Sequence, residues 1–167
     1  MAAATEQLSQ PMRDGVASDD IKRICFVCTG NTCRSPMAAA VANALARTEG
    51  LLICAHSAGL YALDGAPISE NAVLALEKAN VAPIAEMNYH AHTAKNLTDE
   101  AVARCDLLIP MTRTHAMELI LRYPDVAKKI VCMPRQISDP YGGNLQVYQA
   151  CLAEITEGVR ALLFGEV

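Results

Sequence analysis

The chain has 167 residues and a net charge of −4 at pH 7, and 52% of its residues are hydrophobic. This length suffices to bury one core, and the negative balance excludes a broad basic surface for nucleic acid. No apolar run approaches the roughly 20 residues that span a bilayer, and the first residues lack the basic and apolar regions of a signal peptide. Seven irregularly spaced cysteines argue against a disulfide scaffold. We therefore expect a cytoplasmic protein that binds neither nucleic acid nor membrane, with a monomer favoured over an oligomer.

The N-terminal segment shows little hydrophobic periodicity. Residues 1–20 contain a proline, a glycine and an acidic pair, and we expect them to form a flexible extension. The remaining residues, 21–167, are predicted to form one domain. Its first element is a strand over residues 22–28, where an apolar run carries β-branched and aromatic residues.

Helices and strands alternate along the rest of the chain. An alanine-rich helix follows the first strand, and we expect Ser35 to cap it, with Pro36 in its first position and its end near Glu49. The last helix has apolar residues at spacings of three or four, so one of its faces is predicted to be buried. The elements predicted after the first helix are a strand over 51–56, a helix from Ser69 to Asn80, a short helix from Thr98, a strand over 105–111, a helix over 112–122, a strand over 129–133 and a last helix from Leu145.

Four strands separated by helices predict an α/β fold. The expected architecture is a four-stranded parallel sheet with helices on both faces, arranged as a flavodoxin-like three-layer sandwich. In such folds, ligands bind beyond the carboxyl ends of the strands. Cys28 ends the first strand and Asp139 follows the fourth, so both are expected at the same rim of the sheet.

The segment after the first strand has the composition of an anion site. Residues 28–35 read Cys-Thr-Gly-Asn-Thr-Cys-Arg-Ser. A strand, a short polar loop and a helix start place backbone N–H groups and the helix N-terminus around one point, which favours an anion. We expect Cys28 to be a thiolate there, because the helix dipole and Arg34 stabilise its charged form. The phosphate-binding loop is predicted to consist of Thr29, Gly30, Asn31, Thr32 and Cys33.

Two separated segments resemble the low-molecular-weight protein tyrosine phosphatase family. They are residues 27–38, which include this loop, and residues 138–143, Ser-Asp-Pro-Tyr-Gly-Gly. The resemblance implies a protein phosphatase that uses no metal or cofactor and whose partner is a phosphorylated protein. It implies that Cys28 attacks phosphorus to form a cysteinyl phosphate, that Arg34 binds the phosphoryl oxygens, and that Asp139 protonates the leaving group and then activates water.

The same resemblance implies a set of residues that supports the loop. Asn31 is expected in a left-handed turn after Gly30, held there by hydrogen bonds. One of its partners, Ser35, is also in a position to contact the Cys28 thiolate. The residues expected to hold Asn31 are Ser35, Ser57 and His92.

Other cysteines and histidines are interpreted more simply. Cys28 and Cys33 lie on one tight loop, so a disulfide between them is sterically conceivable. A thiolate is the form that peroxide oxidises, and we therefore expect a redox-sensitive enzyme. We interpret His56 and His115 as surface or packing residues.

Two residues are expected to shape the substrate pocket, Thr32 and Tyr141. The form Cys-Thr-Gly-Asn-Thr-Cys-Arg-Ser-Pro resembles the bacterial protein-arginine-phosphatase branch of the family, whereas many other members carry a bulky aliphatic residue where this chain has Thr32. A hydroxyl at this position can accept a hydrogen bond from a guanidinium and leaves room for its planar group. The Tyr141 ring is placed to form a pocket wall. Phosphoarginine is the favoured substrate, and phosphotyrosine is the alternative.

Three other functions are weighed against this interpretation. Thioredoxin-linked arsenate reductases share the fold and the cysteine loop but need further cysteines in the central region, and none lies between Cys54 and Cys105. Residues 29–32 resemble the phosphate loop of flavodoxins, but a flavin-binding module leaves the cysteine, arginine and aspartate unused. A catalytically silent phosphoprotein-binding module is disfavoured because that set of three residues is intact.

Overall fold

The computed structural model describes residues 21–85 and 87–165. Within them, three parallel strands form one sheet in the order β2-β1-β3. The predicted N-terminal extension, residues 1–20, lies outside the described residues. The elements are β1 (Lys22–Cys28), α1 (Arg34–Glu49), β2 (Ile53–Gly59), α2 (Glu70–Lys78), α3 (Asp99–Arg104), β3 (Leu107–Pro110), α4 (Arg113–Arg122) and α5 (Leu145–Phe164), with 3-10 helices at Tyr89–Ala91 and Pro124–Lys129.

The prediction of a fourth strand is wrong. Residues 129–133 form only one isolated parallel bridge, between Leu108 and Ile130. Two N–H groups of this segment donate to carbonyls of β3, at 2.9 and 3.1 Å. The pairing cannot extend, because a 3-10 helix immediately precedes the segment and Pro134, which has no N–H group, follows it. The apolar run is therefore buried beside β3 without forming a strand, and the sheet has three strands.

The first strand lies at the centre of the sheet. It is buried from Ile24 to Cys28. Its register pairs Cys28 with Gly59 of β2 and Val27 with Pro110 of β3. Because all three strands are parallel, their carboxyl ends meet at one edge, and the segments that follow the strands begin there. Cys28 lies at this edge.

Alternate residues of β1 enter two hydrophobic clusters on opposite faces of the sheet. Ile24 and Phe26 pack in the larger cluster, together with residues of α1, α2 and α5. Cys25 and Val27 pack in the smaller cluster, together with residues of α3 and α4. Each large aliphatic side chain buried in this way stabilises the fold by about 1.5–3 kcal/mol. Helices thus cover both faces of the sheet, and the predicted three-layer, flavodoxin-like arrangement fits.

Helix α1 is buried over most of its surface and is rich in alanine. Ala38 and Ala42 are completely buried, at 0% exposure. The helix packs against both β2 and α5. Alanine combines the best helix propensity with a small side chain, so α1 can approach both neighbours closely. None of the helices in the described part of the chain is long and apolar enough to cross a bilayer.

The start of α1 differs from the prediction. The helix begins at Arg34 with Cys33 as its N-cap residue, so Ser35 lies in the first turn and does not cap the helix. Ser35 is completely buried, and its hydroxyl is hydrogen-bonded to side chains of the preceding loop instead. Three later helices do have side-chain caps, which are Thr98 for α3, Thr112 for α4 and Asn144 for α5.

Candidate active site

The loop between β1 and α1 carries the predicted nucleophile and arginine at its two ends. Cys28 is 3% exposed and Arg34 is 7% exposed. Within residues 21–85 and 87–165, no group accepts a hydrogen bond from the backbone N–H groups of residues 30–34. These donors and the N-terminus of α1 are therefore available to an anion beside Cys28.

Asn31 is the most constrained residue of the loop. It is completely buried and has a φ of 56°, in the left-handed region. Its Oδ1 accepts the Lys95 backbone N–H at 3.0 Å, which fixes the orientation of the side-chain amide. Its Nδ2 donates to the hydroxyls of Ser35 and Ser57, at 2.8 and 3.0 Å. His92 Nε2 lies 2.9 Å from the Asn31 carbonyl oxygen. The structure thus brings the three predicted residues to Asn31 and adds Lys95, which the sequence did not indicate.

His92 is a neutral donor in this network. Burial lowers the pKa of His92; the hydrogen bond to Asn31 opposes this shift, and the nearby charge of Lys95 reinforces it. A neutral imidazole carries a single N–H. It must be on Nε2 here, because the Asn31 carbonyl can only accept a hydrogen bond.

The Asn31 network leaves the Ser35 hydroxyl hydrogen available for a hydrogen bond to Cys28. Ser35 Oγ lies 2.9 Å from Cys28 Sγ. Since Ser35 Oγ already accepts a hydrogen bond from the Asn31 amide, its own hydrogen is free to point at Cys28 Sγ. A hydroxyl donor at this distance stabilises a thiolate.

Gly59 allows the loop to lie directly against β2. A Cβ atom at this position would be 2.6 Å from the Thr29 carbonyl oxygen and 3.2 Å from Asn31 Cβ. Any side chain here would displace the loop, because the nearest obstacle is backbone. The close approach lets the Tyr61 N–H donate to the Thr29 carbonyl at 3.0 Å.

The second predicted motif meets the loop at Arg34. Asp139 Oδ2 lies 3.6 Å from Arg34 Nη2, and the Asp139 side chain is 58% exposed. Arg34 Nη1 donates to the Ile137 carbonyl at 3.3 Å, so the guanidinium is attached to the same segment. The Tyr141 N–H donates to Asp139 Oδ1 at 3.1 Å. Because Tyr141 is 79% exposed, its ring is available to a substrate rather than packed in the core.

Helix α5 holds the segment that carries Asp139. The Glu154 carboxylate accepts the Ser138 N–H at 3.1 Å and the Ser138 hydroxyl at 3.2 Å. The Cys151 thiol lies 3.5 Å from the Ser138 carbonyl oxygen. Burial and the nearby Glu154 raise the pKa of Cys151 to about 12, so it is a protonated donor at neutral pH. The position of Asp139 therefore depends on the packing of α5.

The Cys33 side chain is hydrogen-bonded to residues at two other helices. Cys33 Sγ lies 3.0 Å from Ser69 Oγ, next to α2, and 3.2 Å from the Tyr148 hydroxyl on α5. Burial and the contact with Cys33 raise the pKa of Tyr148 to about 12, so Tyr148 keeps its proton. Thr32 is also hydrogen-bonded to Ser69, because its carbonyl accepts the Ser69 N–H at 2.9 Å.

His115 belongs to the site, which its sequence context did not indicate. The side chain is buried, which agrees with the interpretation of His115 as a packing residue and not with that of a surface residue. Its Nε2 lies 2.9 Å from Thr29 Oγ1, and its Nδ1 lies 2.9 Å from Thr112 Oγ1. Thr112 also caps α4 by accepting the His115 N–H. Its position in the sequence could have indicated this role, because His115 lies shortly after the carboxyl end of a predicted strand, β3.

The buried His115 predicts an acid-sensitive fold. Burial and the nearby Arg34 lower the pKa of His115 to about 4, against about 6.5 in an unfolded chain. The unfolded chain therefore binds more protons between these values, and stability falls as the pH decreases from about 6.5 to about 4. We predict that His115→Gln removes up to about 3 kcal/mol of this acid destabilisation. Urea unfolding at several pH values measures it, and parallel pH profiles for both proteins would contradict the prediction.

Comparisons with known proteins place this site in a family. Residues 23–167 match the family described as low molecular weight phosphotyrosine protein phosphatase. The chain belongs to this family. The protein-arginine-phosphatase of Bacillus subtilis is 33% identical over 146 residues, which cover 83% of this chain and 93% of the relative. A low molecular weight protein tyrosine phosphatase from T. tengcongensis matches with a TM-score of 0.78 and 35% identity, covering 87% of this chain and 99% of that one. A YwlE arginine phosphatase mutant with a phosphorylated active site serine matches with a TM-score of 0.77 and 32% identity, covering 84% and 93%.

Family membership confirms the predicted class of enzyme. The protein is a cysteine-dependent protein phosphatase, as the resemblance of the two motifs implied. This assignment supports the phosphatase interpretation over the arsenate reductase and flavin-binding alternatives. The relatives are named for both arginine and tyrosine phosphatases, so membership alone does not distinguish the two substrates.

Proposed function

We propose that this phosphatase hydrolyses phosphoarginine in proteins. The observation that carries the proposal is the Thr32 hydroxyl. Among the described residues, the contact of Thr32 Oγ1 is with Cys33 Sγ at 3.6 Å, so its lone pairs can accept a hydrogen bond from a substrate. A guanidinium offers several N–H donors on a planar group, and a phenol ring offers none. The relationship to a Bacillus subtilis protein-arginine-phosphatase supports the same substrate.

In the proposed first step, the phosphoryl group lies in the loop of residues 28–34. The free loop N–H groups and a bidentate contact with Arg34 bind its oxygens and supply the positive charge that the transition state needs. The Cys28 thiolate attacks phosphorus in line with the leaving group. The S–P bond forms as the P–N bond breaks, and the electron pair goes to the guanidine nitrogen. Asp139 acts as the general acid and protonates that nitrogen.

In the proposed second step, water hydrolyses the cysteinyl phosphate. Asp139 is now a carboxylate, and it takes a proton from the attacking water. The new O–P bond forms as the S–P bond breaks. The electron pair returns to Cys28, whose thiolate is stabilised by the Ser35 hydroxyl at 2.9 Å. Inorganic phosphate leaves, and the starting protonation state of Cys28 is restored.

Phosphotyrosine is the second candidate substrate. The observation in its favour is the exposed ring of Tyr141 next to Asp139, because such a ring can stack on a phenol. The similarity to a T. tengcongensis protein tyrosine phosphatase also supports it. Both candidates use the same proposed nucleophile and acid.

We also propose redox control and a reducing, cytoplasmic location. All cysteines of the described residues are free thiols, which suits a reducing compartment. Peroxide would convert the Cys28 thiolate to a sulfenic acid, and the Cys33 thiol would then displace water to form a disulfide. To do so, Cys33 must give up its contacts with Ser69 and Tyr148. A thiol reductant would restore both cysteines.

The nucleophile is tested by Cys28→Ser. This variant is predicted to lose turnover on an aryl phosphate and to keep its circular dichroism spectrum, because a hydroxyl is a far weaker nucleophile than a thiolate at neutral pH. Mass spectrometry of the acid-quenched wild type should locate a phosphoryl group on Cys28. The matched control is Cys132→Ser, outside the loop, which should retain activity. Ordinary turnover by Cys28→Ser would exclude the mechanism.

The acid is tested by Asp139→Asn. The rate on phenyl phosphate is predicted to fall about 100-fold or more, because a poor leaving group needs protonation. An activated nitrophenyl phosphate should be affected much less, since its leaving group departs as an anion. The control is Asp125→Asn, an exposed aspartate on a 3-10 helix. Equal and small losses on both esters would show that Asp139 is only a turn residue.

Substrate choice is tested at Thr32. Thr32→Val removes the hydroxyl at constant shape, and Thr32→Ile also adds bulk, so both are predicted to lower the ratio of kcat/KM for phosphoarginine over phosphotyrosine. A change of about ten-fold corresponds to roughly 1.4 kcal/mol, the scale of one polar contact. Peptides that differ only in the phosphorylated residue provide the measurement. Thr32→Ser, which keeps the hydroxyl, is the control.

Two results would revise this assignment. An unchanged ratio in Thr32→Val would remove Thr32 as the determinant. A wild-type enzyme that prefers phosphotyrosine would overturn the arginine proposal and leave the roles of Cys28 and Asp139 standing.

A further inference from the structure

A second cavity of about 500 Å³ opens between the sheet and α3, apart from the loop. Its floor is the face of β1 and β2 that carries Cys25 and Ala58. Ala101 of α3 and Cys105, the residue after this helix, contribute to its wall. Helix α3 has only six residues, too few to cover both strands, and this leaves the space open. The volume falls in the range of roughly 300–1,000 Å³ that small-molecule sites occupy.

The cavity carries one excess positive charge. Its lining includes three cations and two carboxylates. Arg104 is paired with Glu100 at 2.6 Å. The other carboxylate, Asp64, accepts two hydrogen bonds from a neighbouring asparagine. The remaining cations, Arg23 and Lys95, form no ion pair with any residue in the described part of the chain.

Arg23, Lys95 and His56 all line the cavity. Burial lowers the pKa of His56, and the charges of Lys95 and Arg23 lower it further. Both cations are therefore within electrostatic reach of His56, whose backbone pairs with that of Cys25 across β1 and β2. An anion placed between the two cations would reduce their mutual repulsion.

We propose that this cavity is a second ligand site, for a small organic carboxylate. The carboxylate group lies between Arg23 and Lys95, and its single charge matches the excess charge of the lining. A flat apolar body of one or two rings packs on the thiols of Cys25 and Cys105 and on the Ala58 methyl group. Such a combination of an apolar floor and a few polar groups at one end is typical of small-molecule sites.

The site is connected to the catalytic loop through Asn31. Ser57 lines the cavity and accepts the Asn31 Nδ2 hydrogen bond at 3.0 Å. Lys95 also lines it, and its backbone N–H donates to Asn31 Oδ1 at 3.0 Å. A ligand that holds Lys95 therefore acts on a residue that fixes the loop. Carboxylate binding in the cavity and anion binding in the loop are coupled, and the coupling is reciprocal. The coupling between the two sites rests on the proposed anion-binding role of the loop.

The binding site is tested with 2-naphthoate, with uncharged 2-naphthamide as the matched probe, by calorimetry on the full-length protein. Naphthoate should bind at least about ten-fold more tightly than naphthamide. Arg23→Gln/Lys95→Gln should weaken naphthoate binding by a similar factor. The control is Arg47→Gln/Lys78→Gln, which removes the same two charges from exposed helix positions and should bind like the wild type. Ala101→Leu, which fills the cavity without changing its charge, should also weaken binding.

The coupling is tested by repeating the titrations with saturating inorganic phosphate. The naphthoate affinity should change by about two-fold or more, and naphthoate should change the phosphate affinity by the same factor. Loss of all naphthoate binding in phosphate would place the probe in the catalytic loop and overturn the site. Equal binding of the two probes, or normal binding by Arg23→Gln/Lys95→Gln, would overturn it as well. Unchanged affinities in phosphate would overturn the connection alone. None of these outcomes depends on which phosphorylated residue the enzyme hydrolyses.

Discussion

The geometry of the loop between β1 and α1 depends on one buried amide, that of Asn31. A left-handed conformation costs a residue with a Cβ roughly 1–2 kcal/mol. Four hydrogen bonds, from Lys95 and His92 and to Ser35 and Ser57, hold Asn31 in this conformation. At about 0.5–1.5 kcal/mol each, they exceed that cost. Beside Asn31, the N–H groups of residues 32–34 have no hydrogen-bond acceptor within the described part of the chain.

The partners of Asn31 come from separate parts of the fold. Ser35 is on α1, Ser57 is on β2, and His92 and Lys95 lie in the segment that leads to α3. A peptide with the loop sequence would lack all but the first. The loop therefore takes its shape only when the sheet, its first helix and this segment have come together, so its geometry is a property of the whole tertiary structure.

Local patterns in the sequence were sufficient to predict β1 and the following loop. Asp139 does lie near that loop, but its position was inferred from a fourth strand that does not form and from the resemblance to the family. Contacts made by backbone atoms were not predictable, because every residue type has them: Lys95 acts on Asn31 through its N–H. The prediction of a fourth strand was wrong for a related reason. Its apolar residues predict burial correctly, but strand formation also needs a continuous ladder, which the flanking 3-10 helix and Pro134 prevent. The sequence did not place His115 at the site, because its partners are 86 and 3 residues away along the chain and only the nearer one is recognisable, as a helix cap.

Helix α1 is packed between the sheet and α5, so a change of side-chain volume along the helix affects the position of its first turn. Ala38 and Ala42 are completely buried, so an added methylene at either position has no free space to occupy. Overpacking of this kind costs about 1–3 kcal/mol and tilts or shifts the helix. Arg34 and Ser35 form the first turn of the same helix. A small tilt of the helix therefore changes the orientation of the Arg34 guanidinium and the distance from Ser35 Oγ to Cys28 Sγ. The side-chain volume allowed on this helix is thus limited by the positions of Arg34 and Ser35 relative to Cys28 as well as by stability.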